Sequence, residues 1–371
     1  MRRILLILVL AAAAAAAETP APTYKAGLAQ RAFLRDDAAY DWRGSKTHAL
    51  ECLMWYPADA DAEEKPQWVG NPPHAFASMG MAAPGAPLAP GPAKFPLILL
   101  SHGTGGSAAM MAWLGTELAR QGYIAIAVNH PGNNALGGYT VQGFTLGWER
   151  AVDLSRVLDG ILADPEFGPR IDPRRVGAAG FSLGGYTMIR LAGGTAEPLN
   201  VDRLAEECSK PGMMDLLCYD PPEFPDLRKQ ATALAHSDAA YTAALEASAK
   251  SHRDPRVRAV FAIAPVDLHF TPESLKAIRI PVALVVGGAD PIAVPAYNAE
   301  ILAKEIPGAA LRILPGGVQH YTFLDTCTDE ARRQQTSLCA DSPGVDRDSV
   351  HREVAAQAVE FFARTLARET K

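Results

Sequence analysis

The stretch that decides the fold runs from Arg175 to Ala192 and reads RVGAAGFSLGGYTMIRLA. An apolar run at 176–179 leads into the pentapeptide G-x-S-x-G, and apolar residues at helical spacing follow. The pattern predicts a strand, a sharp turn and a helix, with the turn holding Ser182 Oγ out to where a histidine can reach it as a nucleophile. The Leu183 amide, at the helix N-terminus, is expected to donate to an oxyanion. The alternative is a serine that only caps the helix.

The rest of the chain alternates apolar runs with helical patterns. Continuous apolar runs are typical of strands buried on both faces, and they occupy 96–101, 123–129, 175–180, 258–265, 281–288 and 310–316. Helical patterns occupy 108–121, 145–162, 183–192, 296–306 and 350–367. This alternation predicts an α/β fold, with a mostly parallel central sheet flanked by helices.

Three segments depart from the alternation. Residues 26–57 carry two strand-like runs, and 57–95 are so rich in Pro, Gly and Ala that they predict a long loop. Residues 195–255 separate a helix from the next strand, which predicts a helical cap insertion above the carboxyl ends of the strands. A peripheral helical decoration is the alternative for this segment.

A serine nucleophile needs a base and an acid that orients the base. In hydrolases with G-x-S-x-G, these partners follow in the chain order Ser, Asp or Glu, His. Asp290 follows one predicted strand and His320 follows the next, so both are expected at the same sheet edge as Ser182. Asp267, which follows the preceding strand, is the alternative acid.

A glycine-rich loop, SHGTGG at 101–106, follows the first of the buried strands. Glycines let the main chain approach a substrate carbonyl, so the Thr104 amide is predicted as the second oxyanion donor. The alternative is a loop whose glycines serve packing alone. His102 is expected to shape this loop and His130 to line the pocket. Neither is expected to be the base, because both precede Ser182 and so break the chain order expected of the base.

The N-terminal sequence MRRILLILVLAAAAAAAE has two arginines, an apolar run and an alanine tract. It predicts a signal peptide over 1–17 and export to the periplasm or medium, leaving 18–371 as the hydrolase-like domain; a membrane anchor is the alternative. Cleavage would remove Arg2 and Arg3 and make the net charge of −6 more negative by two. We therefore expect neither a nucleic-acid partner nor stable membrane insertion after cleavage.

Five cysteines are present, and their spacing suggests two short disulfide loops, Cys208 with Cys218 and Cys327 with Cys339. Cys52 lies in the apolar run ALECLMWY, which predicts a buried free thiol. The tight cysteine spacing of a zinc site is missing from the sequence, so no metal site is predicted.

Taken together, SHGTGG, GFSLGG, GGADPIAVP and GGVQH resemble the α/β-hydrolase superfamily. Within it, LMWYPA and HYTFLDTC are similar to the predicted dienelactone hydrolase group related to platelet-activating-factor acetylhydrolases. The resemblance implies a serine carboxylesterase that acts on a small-molecule ester, without a metal or organic cofactor. It makes Ser182 the nucleophile, His320 the base, Asp290 the acid, and Thr104 and Leu183 the oxyanion donors.

Other functions remain open at this point. A lipase, a phospholipid deacetylase or a polyester hydrolase is the alternative among enzymes, and the lipase would need an exposed apolar rim, for which 79–91 is the candidate. A non-catalytic α/β-hydrolase scaffold is the alternative of a different class, and a missing catalytic residue would be its signature.

Overall fold

A computed structural model describes residues 24–35, 49–203, 221, 223–334 and 336–367 of the chain. The predicted signal peptide and the predicted Cys208 to Cys218 pair lie outside these described residues.

The core of the molecule is a large twisted β-sheet. The strands are β1 Lys25–Leu34, β2 Ala49–Ala58, β3 Lys65–Val69, β4 Ala77–Pro84, β5 Phe95–Ser101, β6 Ile124–Val128, β7 Asn133–Asn134, β8 Gly138–Tyr139, β9 Ile171–Phe181, β10 Val257–Ile263, β11 Val282–Gly287, β12 Ala310–Leu314 and β13 Thr326–Cys327. Their order across the sheet is β12-β11-β10-β9-β5-β6-β2-β1-β4-β13; β3 pairs with β4, and β7 and β8 form a separate hairpin.

Strands β6, β5, β9, β10, β11 and β12 run parallel to one another. They coincide with the continuous apolar runs of the sequence, and every residue of β5 is buried. Strands β2 and β1 add to this unit in antiparallel fashion. The predicted mostly parallel α/β sheet is therefore confirmed.

Helices cover both faces of the sheet, as expected from the right-handed crossovers that parallel neighbours require. The helices are α1 Ala112–Arg120, α2 Val141–Thr145, α3 Glu149–Ala163, α4 Leu183–Ala192, α5 Leu227–Ser237, α6 Ala239–Glu246, α7 Pro272–Ala277, α8 Ala299–Glu305, α9 Asp329–Gln334, α10 Thr336–Cys339 and α11 Arg347–Thr365. Each predicted helical stretch overlaps at least one of them.

The prediction of one long loop over 57–95 is wrong. Strands β3 and β4 lie within it and extend the sheet beyond β1. Pro66 is tolerated in β3 because this strand pairs on one side only, with β4, so a missing backbone donor costs little there. Met79 and Ala82 are buried and Met81 is 40% exposed, so the 79–91 segment offers one exposed large apolar side chain toward the rim that a lipase would need.

The disulfide between Cys327 and Cys339 is formed, with the two Cα atoms 5.7 Å apart. Cys52 is buried on β2 with a free thiol, as predicted. Within the described ranges, no helix combines the length and the apolar character needed to cross a membrane.

The helices of the 195–255 segment have an apolar cluster of their own. Leu227 of α5 and Tyr241 of α6 pack against Phe144 and Trp148, which precede α3 in the chain. The Trp148 indole N–H donates to the Ala244 carbonyl at 2.8 Å. This part of the insertion is therefore anchored on the 141–148 segment.

Candidate active site

Ser182 occupies the turn between β9 and α4. Its φ of 56° and ψ of −116° are unusual for a residue with a side chain, and its N–H donates to the Ile263 carbonyl at 2.8 Å. The flanking glycines are needed for close packing: a Cβ at Gly184 would lie 2.0 Å from the Ser101 carbonyl oxygen, and a Cβ at Gly180 would lie 2.3 Å from that of Gly184. The G-x-S-x-G pattern therefore permits a turn that larger residues would block.

Two further predicted residues form a hydrogen-bonded line with Ser182. His320 Nε2 lies 2.9 Å from Ser182 Oγ, and His320 Nδ1 lies 2.8 Å from Asp290 Oδ2. The other oxygen of Asp290 accepts hydrogen bonds from the amides of Ile292 and Ala293, at 2.8 and 2.7 Å. Because the carboxylate can only accept, Nδ1 carries the proton and Nε2 is left to accept from the serine hydroxyl.

The alternative acid, Asp267, lies apart from this line. Its carboxylate accepts from the Phe270 amide at 3.1 Å, and its own amide donates to the Asn298 side chain at 2.8 Å. Burial raises the pKa of the Asp267 carboxyl. The structure thus places Asp290, and not Asp267, in hydrogen-bonding distance of His320.

The short helical turn that carries His320 is held from two sides. The His351 ring, on α11, is 3.0 Å from the Thr322 carbonyl oxygen through Nε2, and it stacks on Trp113 at a centroid distance of 4.5 Å. The Trp113 indole N–H donates to the Phe323 carbonyl at 3.0 Å. Helices α1 and α11 therefore fix the position of the turn.

His351 should make the fold sensitive to acid. Burial lowers the pKa of His351 to about 4, so as the pH falls below about 6.5 the imidazole is protonated in the unfolded chain before it is protonated in the folded one. The unfolding free energy that neutral His351 contributes above about pH 6.5 is therefore lost as the pH falls toward 4. When the pH falls from 7 to 4.5, the unfolding free energy of His351→Gln is expected to fall by about 2 to 3 kcal/mol less than that of the unmodified chain. Urea denaturation at both pH values measures the difference.

The matched control for this prediction is His236→Gln, because His236 is exposed and its ring pairs with Asp202 at the surface. This variant should retain the full acid loss. Equal acid losses in the His351 variant and the unmodified chain would contradict the prediction.

The two predicted oxyanion donors flank Ser182. Leu183 is the first residue of α4, so its N–H has no acceptor within the helix. Thr104 follows Gly103, at which a Cβ would lie 3.3 Å from Ser182 Cβ. Thr104 Oγ1 is buried and has no hydrogen-bond partner among the described residues. Both amides therefore belong to segments in direct contact with the serine.

The far end of the glycine-rich loop is tied to the β7–β8 hairpin. The Gly105 amide donates to Asn133 Oδ1 at 2.7 Å, and the Tyr139 hydroxyl donates to the Gly105 carbonyl at 3.0 Å. A Cβ at Gly105 would lie 2.6 Å from Glu223 Oε1, so a carboxylate of the 195–255 segment packs on this loop. Sequence analysis did not single out Glu223.

The expectation that His130 lines the pocket is wrong. His130, the second residue after β6, is 1% exposed, and its ring bonds to Ser101 and Asp153 beneath the loop. His102 does lie beneath the loop: its Nδ1 donates to the Gly103 carbonyl at 2.6 Å. Burial, followed by the charge of Arg150, sets the pKa of His102 well below its ordinary value.

Sequence analysis also missed charged residues on the buried face of α3. Arg150 and Asp153 are almost fully buried together with Leu154 and Val157. The available signal was helical spacing, because 150, 153, 154 and 157 share one face, and charges on an apolar face need buried partners.

No group of three or more His, Cys, Asp or Glu side chains suited to a metal occurs within the described part of the chain. The prediction that the chain needs no cofactor stays a prediction.

The comparisons with known proteins agree with this architecture. A family model described as the alpha/beta hydrolase family matches residues 97–333, which is more than half of the chain. A ferulic acid esterase from Streptomyces cinnamoneus superposes with a TM-score of 0.61 over 96% of this chain and 97% of that one. Their sequences are 20% identical, so this likeness concerns the fold.

Lipase 1 of Moraxella sp. (strain TA144) is 35% identical over 80 residues, which is 22% of this chain and 22% of the lipase. The matched part thus spans under a quarter of that relative. The family match covers the strand, turn and helix around Ser182 as well as Asp290 and His320, and the chain belongs to the alpha/beta hydrolase family.

Proposed function

We propose that this chain is a serine carboxylesterase that hydrolyses small carboxylic esters through an acyl-enzyme formed on Ser182. The observation that carries the proposal is the hydrogen-bonded line from Asp290 through His320 to a serine on a strained turn. A scaffold protein would have no need to maintain this line, with its donors and acceptors correctly directed. Five residues take the roles of nucleophile, base, acid and oxyanion donors: Ser182, His320, Asp290, Thr104 and Leu183.

The reaction has two acyl-transfer steps. As Ser182 Oγ attacks the ester carbonyl, His320 Nε2 takes its proton, and Asp290 stabilises the imidazolium that forms. The amides of Thr104 and Leu183 stabilise the developing oxyanion. The proton then passes to the leaving alcohol, and water repeats the sequence on the acyl-enzyme.

A cavity that is lined in part by Tyr186 of α4 is suited to an apolar substrate group, although its described lining includes neither Ser182 nor His320. Phe144, Trp148 and Tyr186 contribute aromatic walls, and Leu245 closes it from α6. Tyr186 lies one helical turn after Ser182 on α4. We assign this cavity to part of the ester, and the 195–255 segment to a cap insertion on the 18–371 domain.

We also infer membership of the dienelactone hydrolase group related to platelet-activating-factor acetylhydrolases, with serine in place of the cysteine of dienelactone hydrolases proper. Export after removal of a 1–17 signal peptide is supported by the Cys327 to Cys339 disulfide, since such bonds persist in oxidising compartments. No cofactor is needed for the proposed steps.

The experiment that tests the function is turnover of p-nitrophenyl esters from acetate to palmitate, combined with a fluorophosphonate label located by mass spectrometry. Turnover of short esters and a label on Ser182 are expected. Preference for palmitate with activation at a lipid interface would favour the lipase alternative. Absence of both turnover and label in folded protein would favour the scaffold.

Glu223 should disfavour anionic esters. Its carboxylate packs on Gly105. Burial is the main cause that raises the pKa values of Tyr139 and Tyr321, and the negative charge of Glu223 raises them further. For Glu223→Gln, kcat/KM for mono-p-nitrophenyl succinate is expected to rise about 3- to 10-fold relative to p-nitrophenyl butyrate, because a like charge is removed.

The matched control is Glu166→Gln, which removes an exposed carboxylate paired with Arg31, just before β9 and so away from the carboxyl ends of the strands. Its ratio should equal that of the unmodified chain. An unchanged ratio in the Glu223 variant would rule out this role.

A further inference from the structure

A second Ser, His and Asp arrangement lies beneath the glycine-rich loop. Ser101 Oγ is 2.9 Å from His130 Nε2, and His130 Nδ1 is 3.0 Å from Asp153 Oδ2. These three residues are at most 1% exposed. A substrate cannot reach the Ser101 hydroxyl, so this arrangement is not a second nucleophilic site.

Its hydrogen bonds have one consistent direction. Arg150 Nη2 donates to Ser101 Oγ at 3.4 Å. Because the Asp153 carboxylate can only accept, the neutral His130 ring carries its proton on Nδ1, and its Nε2 accepts a hydrogen bond from the Ser101 hydroxyl. His130 Nδ1–H then donates to Asp153, whose other oxygen accepts from Arg35 at 2.7 Å. The guanidinium groups of Arg150 and Arg35 at the two ends, with His130 and Asp153 between them, therefore hold the Ser101 hydroxyl in a single orientation.

The same groups form hydrogen bonds that hold the backbone leading to Thr104. Arg150 Nη2 also donates to the His102 carbonyl, and His102 Nε2 accepts from the His130 amide at 3.2 Å. The His102 ring closes onto the Gly103 carbonyl through Nδ1. Each residue between the end of β5 and Thr104 thus has its position set by this cluster.

Burying the charged groups of this cluster costs free energy. Arg150 is 2% exposed, and its Nε and Nη1 have no hydrogen-bond partner among the described residues. Apolar side chains of similar volume would fill the space without leaving guanidinium donors unpaired. A role beyond packing accounts for charged groups at this place.

We propose that Ser101, His130, Asp153 and Arg150 are positioning residues that hold the Thr104 amide in line with the oxyanion of the ester reaction. The inference rests on the proposed function. It predicts that disturbing the cluster weakens transition-state stabilisation while ground-state binding is maintained.

The test is Ser101→Ala, which removes one hydroxyl from the centre of the cluster. We expect kcat for p-nitrophenyl butyrate to fall about 10- to 100-fold, less than the full loss of an oxyanion donor, with KM changed less than about twofold. Thr116→Val is the matched control, because it removes a buried hydroxyl on α1 outside the cluster. Its kcat should not change.

A pair of inhibitors separates positioning from loss of structure. In the adduct with phenylboronic acid, Ser182 Oγ adds to boron and its proton passes to His320. The boron becomes tetrahedral, and one of its oxygens occupies the oxyanion site. The affinity of phenylboronic acid should fall in parallel with kcat/KM in Ser101→Ala. The affinity of butanamide, which binds without adding to the serine, should stay within about twofold.

Wild-type turnover and fluorophosphonate labelling of Ser182 are measured first, so that failure of the proposed function is recognised separately. With wild type active, unchanged kcat and boronate affinity in Ser101→Ala overturn the positioning role, as does an equal loss for both inhibitors. If Ser101→Ala does not fold, Asp153→Asn serves instead: it keeps the side-chain shape, reverses the hydrogen bond to His130, and should show the same split between inhibitors.

Discussion

Replacing Ser182 with alanine should reduce kcat for p-nitrophenyl butyrate by about 10⁴- to 10⁶-fold, the range seen when the nucleophile of such a site is removed. The reason is that no other hydroxyl is hydrogen-bonded to His320 Nε2 among the described residues. Alanine has the same backbone restriction as serine at a φ of 56°, so the fold and the melting temperature should change little. Steady-state kinetics and thermal unfolding of the two proteins measure both effects.

Ser101→Ala is the informative comparison for this prediction, because it removes a serine hydroxyl that is also bonded to a histidine. It should retain between a hundredth and a tenth of the activity and should still be labelled by the fluorophosphonate. If Ser182→Ala kept its activity and Ser101→Ala lost it, the nucleophile would have to be reassigned.

Asp290→Asn should lower kcat by about 10³- to 10⁴-fold without loss of folding. The Asp290 oxygen that accepts from Ile292 and Ala293 would remain, and the new amide group would face His320 Nδ1 as a donor. The ring would then carry its proton on Nε2 and could no longer accept one from Ser182. Kinetics with the butyrate ester measure the loss, and circular dichroism checks the fold.

Asp267→Asn is the matched control, since Asp267 follows the preceding strand and is bonded within its own loop. Its kcat should stay within about threefold of wild type. A large loss for Asp267→Asn together with an active Asp290→Asn would assign the orienting acid to Asp267.

Local pattern was sufficient for much of the fold. Buried parallel strands appear in the sequence as unbroken apolar runs, and the order in which Ser182, Asp290 and His320 follow such runs brings them to one edge of the sheet. The geometry of parallel strands converts position in the chain into position in space, so no long-range information was needed for these residues.

The features that were missed depend on pairings that no local pattern records. Strand β4 combines short alternation with a glycine and a final proline, and its place is fixed by β1, some fifty residues earlier in the chain. Asp153 of α3 pairs with Arg35, 118 residues before it, and Asp153 and Arg150 also contact groups at or just after the ends of β5 and β6. Only the assembled sheet brings these partners together.

The wide separation of the reacting groups also determines when the site can form. His320 is 138 residues from Ser182 in the chain, and two strands, β10 and β11, lie between β9 and β12, which lead to the two residues. Contacts of such high sequence separation form slowly during folding, because a long loop must close before they contribute. Recovery of esterase activity during refolding would therefore report completion of this half of the sheet. In a variant that keeps Trp55 and replaces the other four tryptophans, fluorescence of Trp55, buried against α1, would report formation of the other half.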